Sequence, residues 1–191
     1  MSAPESTPPR TSLRGKAWFW VPVPLLVALD LWSKAAAFAY VAATPPRQGR
    51  VPTGLLPAPF GFDLVQLNNT GTIWGLGQSL TVPLIALRLL AVAALIWFAA
   101  RTPPRRRFTL LVIGLVLAGA VGNLYDNLFM AGRGVRDFLL FYYRGEGGVE
   151  HVFPAFNVAD SCITVGAIAL AWTLWREPSA ERKVVSKEAT S

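Results

Sequence analysis

The sequence predicts an all-α integral membrane protein with four transmembrane helices and a small extracytoplasmic β element. Three observations predict it. The 191 residues are 53% hydrophobic and only 15% charged, where a soluble domain carries about a quarter charged residues. Four apolar runs each approach the roughly 20 residues that a hydrocarbon core requires. The basic residues cluster beside those runs in alternate connections, as cytoplasmic membrane anchors do. The net charge of +7 and pI near 10.2 therefore read as membrane topology, and no nucleic-acid partner is expected.

Residues 1–16 are polar and read as a cytoplasmic tail. The first run, 17–40, contains Asp30 and Lys34. A cleavable signal peptide is the rival reading, with small residues in AAAFAYVAA after a basic start, but the charged pair falls where its apolar region would still be running. Residues 41–81 form the first outward loop. PTGLLPAPFGF is rich in Pro and Gly, FDLVQLNN alternates weakly like a short strand, and NNTG supplies a turn. The second span, 82–100, carries Arg88, which either snorkels or pairs with an acid. RTPPRRR (Arg101–Arg107) is a basic connection. In the third span, 108–130, Gly114, Gly119 and Gly122 allow close helix approach. Residues 131–154 form the second outward loop, whose aromatic FLLFYY suits the membrane interface. The fourth span is 155–175, and 176–191 is a second cytoplasmic tail. Residues 17–175 thus make one domain.

Orientation follows from the basic residues. The two tails and the middle connection hold eleven (Arg10, Arg14, Lys16, Arg101, Arg105, Arg106, Arg107, Arg176, Arg182, Lys183 and Lys187), against five in the other loops (Arg47, Arg50, Arg133, Arg136 and Arg144). Both termini are then cytoplasmic. At about 1.5 Å of rise per residue, Asp126 lies about 28 Å from Arg107, Asp160 about 24 Å from Arg176, and Asp30 and Lys34 about 21 and 27 Å from Lys16. Three helices bring ionisable groups to one level near the outer boundary.

Carboxylates at membrane depth are costly. GNLYDN (Gly122–Asn127) and FPAFNVADS (Phe153–Ser161) each place an aspartate three residues after an asparagine, on one helix face. Two such acids in a poorly hydrated cleft share a proton, so that one serves as base and the other as acid. Asp126 and Asp160 are the candidate catalytic pair; the bland alternative is helix capping, which suits an acid in the first turns of a helix. Asp30 and Lys34, four apart, make a helical ion pair and read as structural. A Ser33–Lys34 nucleophile is disfavoured because adjacent helical residues do not face each other. Asp137 either steadies the site or is a solvated acid paired with Arg133 or Arg136. Asn69 and Gly71 either make a turn or contact substrate. Cys162, the one cysteine, reads as a small buried residue; His151 is the one histidine, and no helical H-E-x-x-H is present, so no metal is expected.

These motifs resemble the lipoprotein signal peptidases (signal peptidase II), bacterial inner-membrane aspartic proteases. The matching pieces are D-x-x-S-K (Asp30–Lys34), N-x-G (Asn69–Gly71), GN-x-x-D (Gly122–Asp126), a form of G-x-V-x-D-F (Gly132–Phe138) and FN-x-AD-S (Phe156–Ser161). The resemblance implies Asp126 and Asp160 as dyad, Asn123, Asn157, Asp30, Lys34 and Asp137 as its support, and Asn69, Gly71 and Trp74 as substrate contacts. It implies no cofactor, a lipid-modified pro-lipoprotein substrate cut before its lipidated cysteine, a membrane-lipid environment and a monomer. The chain departs from the family where Asn127 and Asn68 replace arginines, and where Thr72, Ile73 and Trp74 replace Ala-Ala-Phe. The alternative is an inactive paralogue or a small binding or transport protein. A transporter would want polar residues through the full thickness, and the cytoplasmic halves are nearly free of them apart from Arg88.

Overall fold

The computed structural model describes residues 12–45, 50–70 and 81–176. Gly71 and Trp74, with the substitutions at 72 and 73, lie outside the described residues. Five helices appear: α1 (Ala17–Trp20), α2 (Pro22–Ala43), α3 (Thr81–Arg101), α4 (Arg107–Phe129) and α5 (Val158–Arg176). Four strands accompany them: β1 (Arg50–Pro52), β2 (Phe60–Asn69), β3 (Val135–Arg144) and β4 (Glu150–Val152). Among the described residues, three helical stretches are long and apolar enough to cross a membrane: Ala17–Ala43, Val82–Arg101 and Arg107–Phe129. The apolar part of α5, Val158–Thr173, is shorter.

Helix α4 is the axis. It packs against α1, α2, α3 and α5, and its glycines explain how closely. A Cβ on Gly119 would come within 2.3 Å of the Ala159 carbonyl oxygen, and one on Gly122 within 2.5 Å of Asp30 Oδ2. Contacts that short do not occur, so α4 meets α5 at backbone distance and leaves room at Gly122 for the Asp30 side chain of α2. Phe19, Ala99, Leu110, Ile113 and Leu117 form the apolar core at one end. There Lys16 Nζ donates to the Ala99 and Ala100 carbonyls at 2.7 and 2.8 Å, satisfying orphan acceptors at the α3 C-terminus. Elsewhere the helices turn Leu25, Trp32, Leu87, Leu90, Ile168 and Trp175 outward, a surface suited to lipid rather than water.

The strands form one antiparallel sheet in the order β1-β2-β3-β4. Two expectations change here. The strand expected at FDLVQLNN ends at Asn69 as read but starts earlier, at Phe60, and Asn68 and Asn69 pair with Arg136 and Val135 instead of opening a turn. The second outward loop is a strand too: Val135–Arg144 pairs along β2 from Phe60 to Asn69, with an irregularity between Leu64 and Leu67. FLLFYY lies within β3 and packs by cross-strand aromatic contacts, Phe62 on Phe141 at 4.8 Å and Phe60 on Tyr143 at 5.5 Å. Tyr142 lies over Gly61, where a Cβ would overlap its ring. The β3–β4 turn places Gly147 and Gly148 at φ of 76° and 79°, the left-handed region that glycine adopts without a Cβ penalty.

Candidate active site

The start of α5 builds half of the site. Asn157 Oδ1 accepts from the Asp160 backbone N–H at 2.9 Å, and Asp160 Oδ2 accepts from the Asn157 N–H at 3.2 Å. This is a reciprocal capping box, with an aspartate in the third helical position. It locks the Asp160 side chain toward the helix start. Its other oxygen, Oδ1, accepts from Asn123 Nδ2 at 2.7 Å, which binds α5 to α4. Asp160 keeps partial exposure, whereas Asn123 and Asn157 are buried.

Strand β3 builds the other half. Asp137 is 1% exposed. It accepts from Asn157 Nδ2 at 2.7 Å and from Asn69 Nδ2 at 3.1 Å, and neither Arg133 nor Arg136 pairs with it among the described contacts. The solvated ion pair considered from sequence is therefore corrected: alternation along β3 turns Arg136 and Asp137 to opposite sides. Burial, followed by the charge of Asp160, pushes the Asp137 carboxyl up from its ordinary 3.8 to about 7, against the hydrogen bonds from Asn69 and Asn157.

Asp126 sits in a different environment. Its carboxylate is fully buried, and Oδ1 accepts from Arg136 Nε and a terminal guanidinium nitrogen at 3.1 and 2.7 Å. Oδ2 accepts from the Arg136 backbone N–H at 2.9 Å and lies 3.2 Å from Lys34 Nζ. Lys34 also donates to Asp30 Oδ2 at 2.7 Å and to Asn123 Oδ1 at 3.0 Å, while Asp30 Oδ1 accepts from the Ala159 N–H at 2.8 Å. Asp30, Lys34, Asp126 and Arg136 thus form a closed ionic cluster joining α2, α4, β3 and α5. Each charge has a partner, which a buried ion requires.

A cavity of about 610 Å³ lies against the first half, lined by Asn69, Arg88, Asp137 and Asp160 on its polar side and by residues such as Phe153, Phe156, Ile163 and Val165 on its apolar side. Asp126 is not among its lining residues. The structure thus brings Asp137 and Asp160 to one cavity, with Asn123, Asn157 and Asn69 holding them. It places Asp126, Asp30 and Lys34 in the ionic cluster beside it. Among the described residues, no group of three His, Cys, Asp or Glu is placed to hold a metal ion.

Sequence reasoning missed two residues. Arg136, read as a loop cation and as a possible partner of Asp137, is the main partner of Asp126. Arg88 was set apart in the cytoplasmic half of its span. It stands instead at the level of the site, where it donates to Asn127 Oδ1 and lines the cavity; it lies only seven residues into α3, which a count from the loop would have shown.

Comparison with known proteins agrees with this architecture. The sequence model of the family described as Signal peptidase (SPase) II matches residues 23–176. A lipoprotein signal peptidase of Pseudomonas syringae pv. tomato is 35% identical over 177 residues, covering 91% of this chain and 94% of that one. One of Clostridium acetobutylicum is 36% identical over 110 residues, 58% of this chain and 68% of its own. A solved structure described as a bacterial membrane enzyme superposes with a TM-score of 0.68 at 25% identity, covering 89% of this chain and 93% of that one. Three apolar spans and a small sheet make this a helix-rich integral membrane enzyme fold, and with four-fifths of its length matched the chain belongs to the signal peptidase II family.

Proposed function

We propose that this protein is a membrane-embedded aspartic endopeptidase that removes the signal peptide from diacylglyceryl-modified pro-lipoproteins, cutting before the lipidated cysteine. The observation that carries the reading is that Asp137 and Asp160 line one cavity whose remaining wall is apolar. The expected pairing of Asp126 with Asp160 is replaced by this one. Asp126 has no face toward the cavity, and both its oxygens are engaged by Arg136 and Lys34.

The chemistry follows from the proton count. The Asp137 carboxyl, pushed up to about 7 by burial and by the charge of Asp160, supplies the proton that the reaction exchanges. The ionised member takes a proton from water as the water oxygen attacks the scissile carbonyl carbon. The protonated member gives its proton to the carbonyl oxygen. Collapse of the tetrahedral intermediate returns a proton to the departing amine, and the C–N bond breaks. Asn123 and Asn157 hold the carboxylates so that little reorganisation is needed. The apolar wall accepts the substrate's signal helix from the bilayer, and Asn69 borders the cavity as a substrate contact.

Helix α5 serves as a fourth span, both termini are cytoplasmic, and the dyad lies near the outer face of a bacterial inner membrane. The enzyme acts as a monomer on its lipid-embedded substrate. The test is cleavage of a diacylglyceryl-modified pro-lipoprotein by purified protein in detergent. The parent should cut before the lipidated cysteine, and Asp137→Asn and Asp160→Asn should be folded and inert. A parent inert on several such substrates would favour an inactive paralogue.

A further inference from the structure

We propose that Arg88 is a substrate-positioning residue, a guanidinium delivered from α3 to donate hydrogen bonds to a carbonyl oxygen of the substrate beside the two carboxylates. The inference rests on the endopeptidase reading above and assigns one more contact within it. Four observations meet at this side chain. It lines the cavity together with Asp137 and Asp160. It lies in a span, seven residues from the start of α3, where an uncompensated cation is costly and marks a functional position. None of the ion pairs among the described residues includes it. Among the described residues its hydrogen bond goes to the neutral Asn127 side chain.

Asn127 works as a holder. It is buried, accepts from Arg88 at Oδ1 and donates from Nδ2 to the Arg133 carbonyl at 2.6 Å. That fixes one corner of the guanidinium to α4 without neutralising it. An arginine has five N–H donors in a planar fork, so donors remain for the cavity. The carboxylates within its electrostatic reach are Asp160, Asp137 and Asp126. The charge is balanced at range, and the fork is left open for a neutral acceptor. A carboxylate ligand would add a further negative charge beside these acids. A carbonyl oxygen adds none and matches the planar donors. Such oxygens come from the peptide backbone or from the acyl esters of the lipid, and the test separates the two.

Cleavage is measured with purified full-length protein on a diacylglyceryl-modified pro-lipoprotein and on its dialkyl-ether counterpart, which lacks the ester carbonyls. Losing a hydrogen bond from a charged donor should raise KM by about 10- to 100-fold in Arg88→Gln, with kcat and thermal stability much less affected. Arg88→Lys should recover part of the loss, because it keeps the charge but not the fork. The exchanged pair Arg88→Asn with Asn127→Arg should recover most of it, since the cation returns to the same boundary of α3 and α4. A penalty that persists on the ether substrate assigns the acceptor to the peptide backbone; one that vanishes there assigns it to an ester. Unchanged KM in Arg88→Gln, or a loss confined to thermal stability that no variant rescues, would overturn the inference. A parent that cuts neither substrate would instead overturn the endopeptidase reading.

Discussion

Replacing Asp137 with asparagine should abolish cleavage and at the same time stabilise the fold. The carboxyl titrates at about 7 in the folded protein against an ordinary 3.8. At about 1.4 kcal/mol per pKa unit, keeping this group buried costs on the order of 4 kcal/mol at neutral pH relative to a free carboxylate. The sign follows from linkage. Between pH 3.8 and about 7 the folded state binds more protons at this position than the unfolded state, so its contribution to stability is full below 3.8 and is lost as pH rises through that window. Asparagine carries no charge to desolvate. It retains an oxygen for Asn157 Nδ2 but sets an amide against Asn69 Nδ2, at the position where Oδ2 now accepts at 3.1 Å. One hydrogen bond lost is worth about 1 kcal/mol, leaving a net gain of about 2–3 kcal/mol.

For a chain of this size that gain corresponds to a rise in Tm of about 5–10 °C. The assay is thermal unfolding of parent and Asp137→Asn in one detergent from pH 4 to pH 8, alongside cleavage. The two Tm values should converge near pH 4, separate as pH rises to about 7, and run parallel above it. A difference that does not vary with pH would show that the Asp137 carboxyl is not held protonated by burial. A variant that still cuts would remove Asp137 from the dyad.

Three further outcomes follow. The pH–rate profile should fall as pH rises through about 7, where Asp137 loses its proton, and in Asp137→Asn this limb should disappear together with the activity. Asp126→Asn should behave in the opposite way to Asp137→Asn: it strips the counter-charge from Arg136 and Lys34, costing about 3–5 kcal/mol of stability, while the molecules that remain folded still cleave, as a thermal scan beside an activity assay will show. Gly119→Ala should lower stability by about 1–3 kcal/mol through overpacking, because its methyl would meet the Ala159 carbonyl at 2.3 Å. Gly145→Ala, at a negative φ and with its nearest neighbour at an ordinary 3.4 Å, serves as the control for glycine substitution away from that contact.

The helices were legible because each is a long apolar run broken by few charges, and runs of that length read as spans. Strand β3 was not. Its FLLFYY is a continuous apolar run with no polar alternation, and it reads equally well as an interfacial belt until its partner β2 is known to lie against it. The site was legible as a set of residues and illegible as a set of partners. Depth along a helix placed Asp126 beside Asp160, but it could not say which way either carboxylate turned. Asp126 turns toward α2 and β3, while Asp160 is turned back over the helix start by the capping box. What decides between them is charge balance. Asp30 and Asp126 are matched by Lys34 and Arg136, two acids against two bases in contact. Asp137 and Asp160 have no contacting cation among the described ion pairs, only asparagines. Carboxylates contacted by cations are tied into ion pairs, whereas Asp137 and Asp160 meet only amides and stay open to the cavity. The asparagines of the two N-x-x-D units therefore point to the two cavity carboxylates: Asn123 reaches across to Asp160, and Asn157 to Asp137.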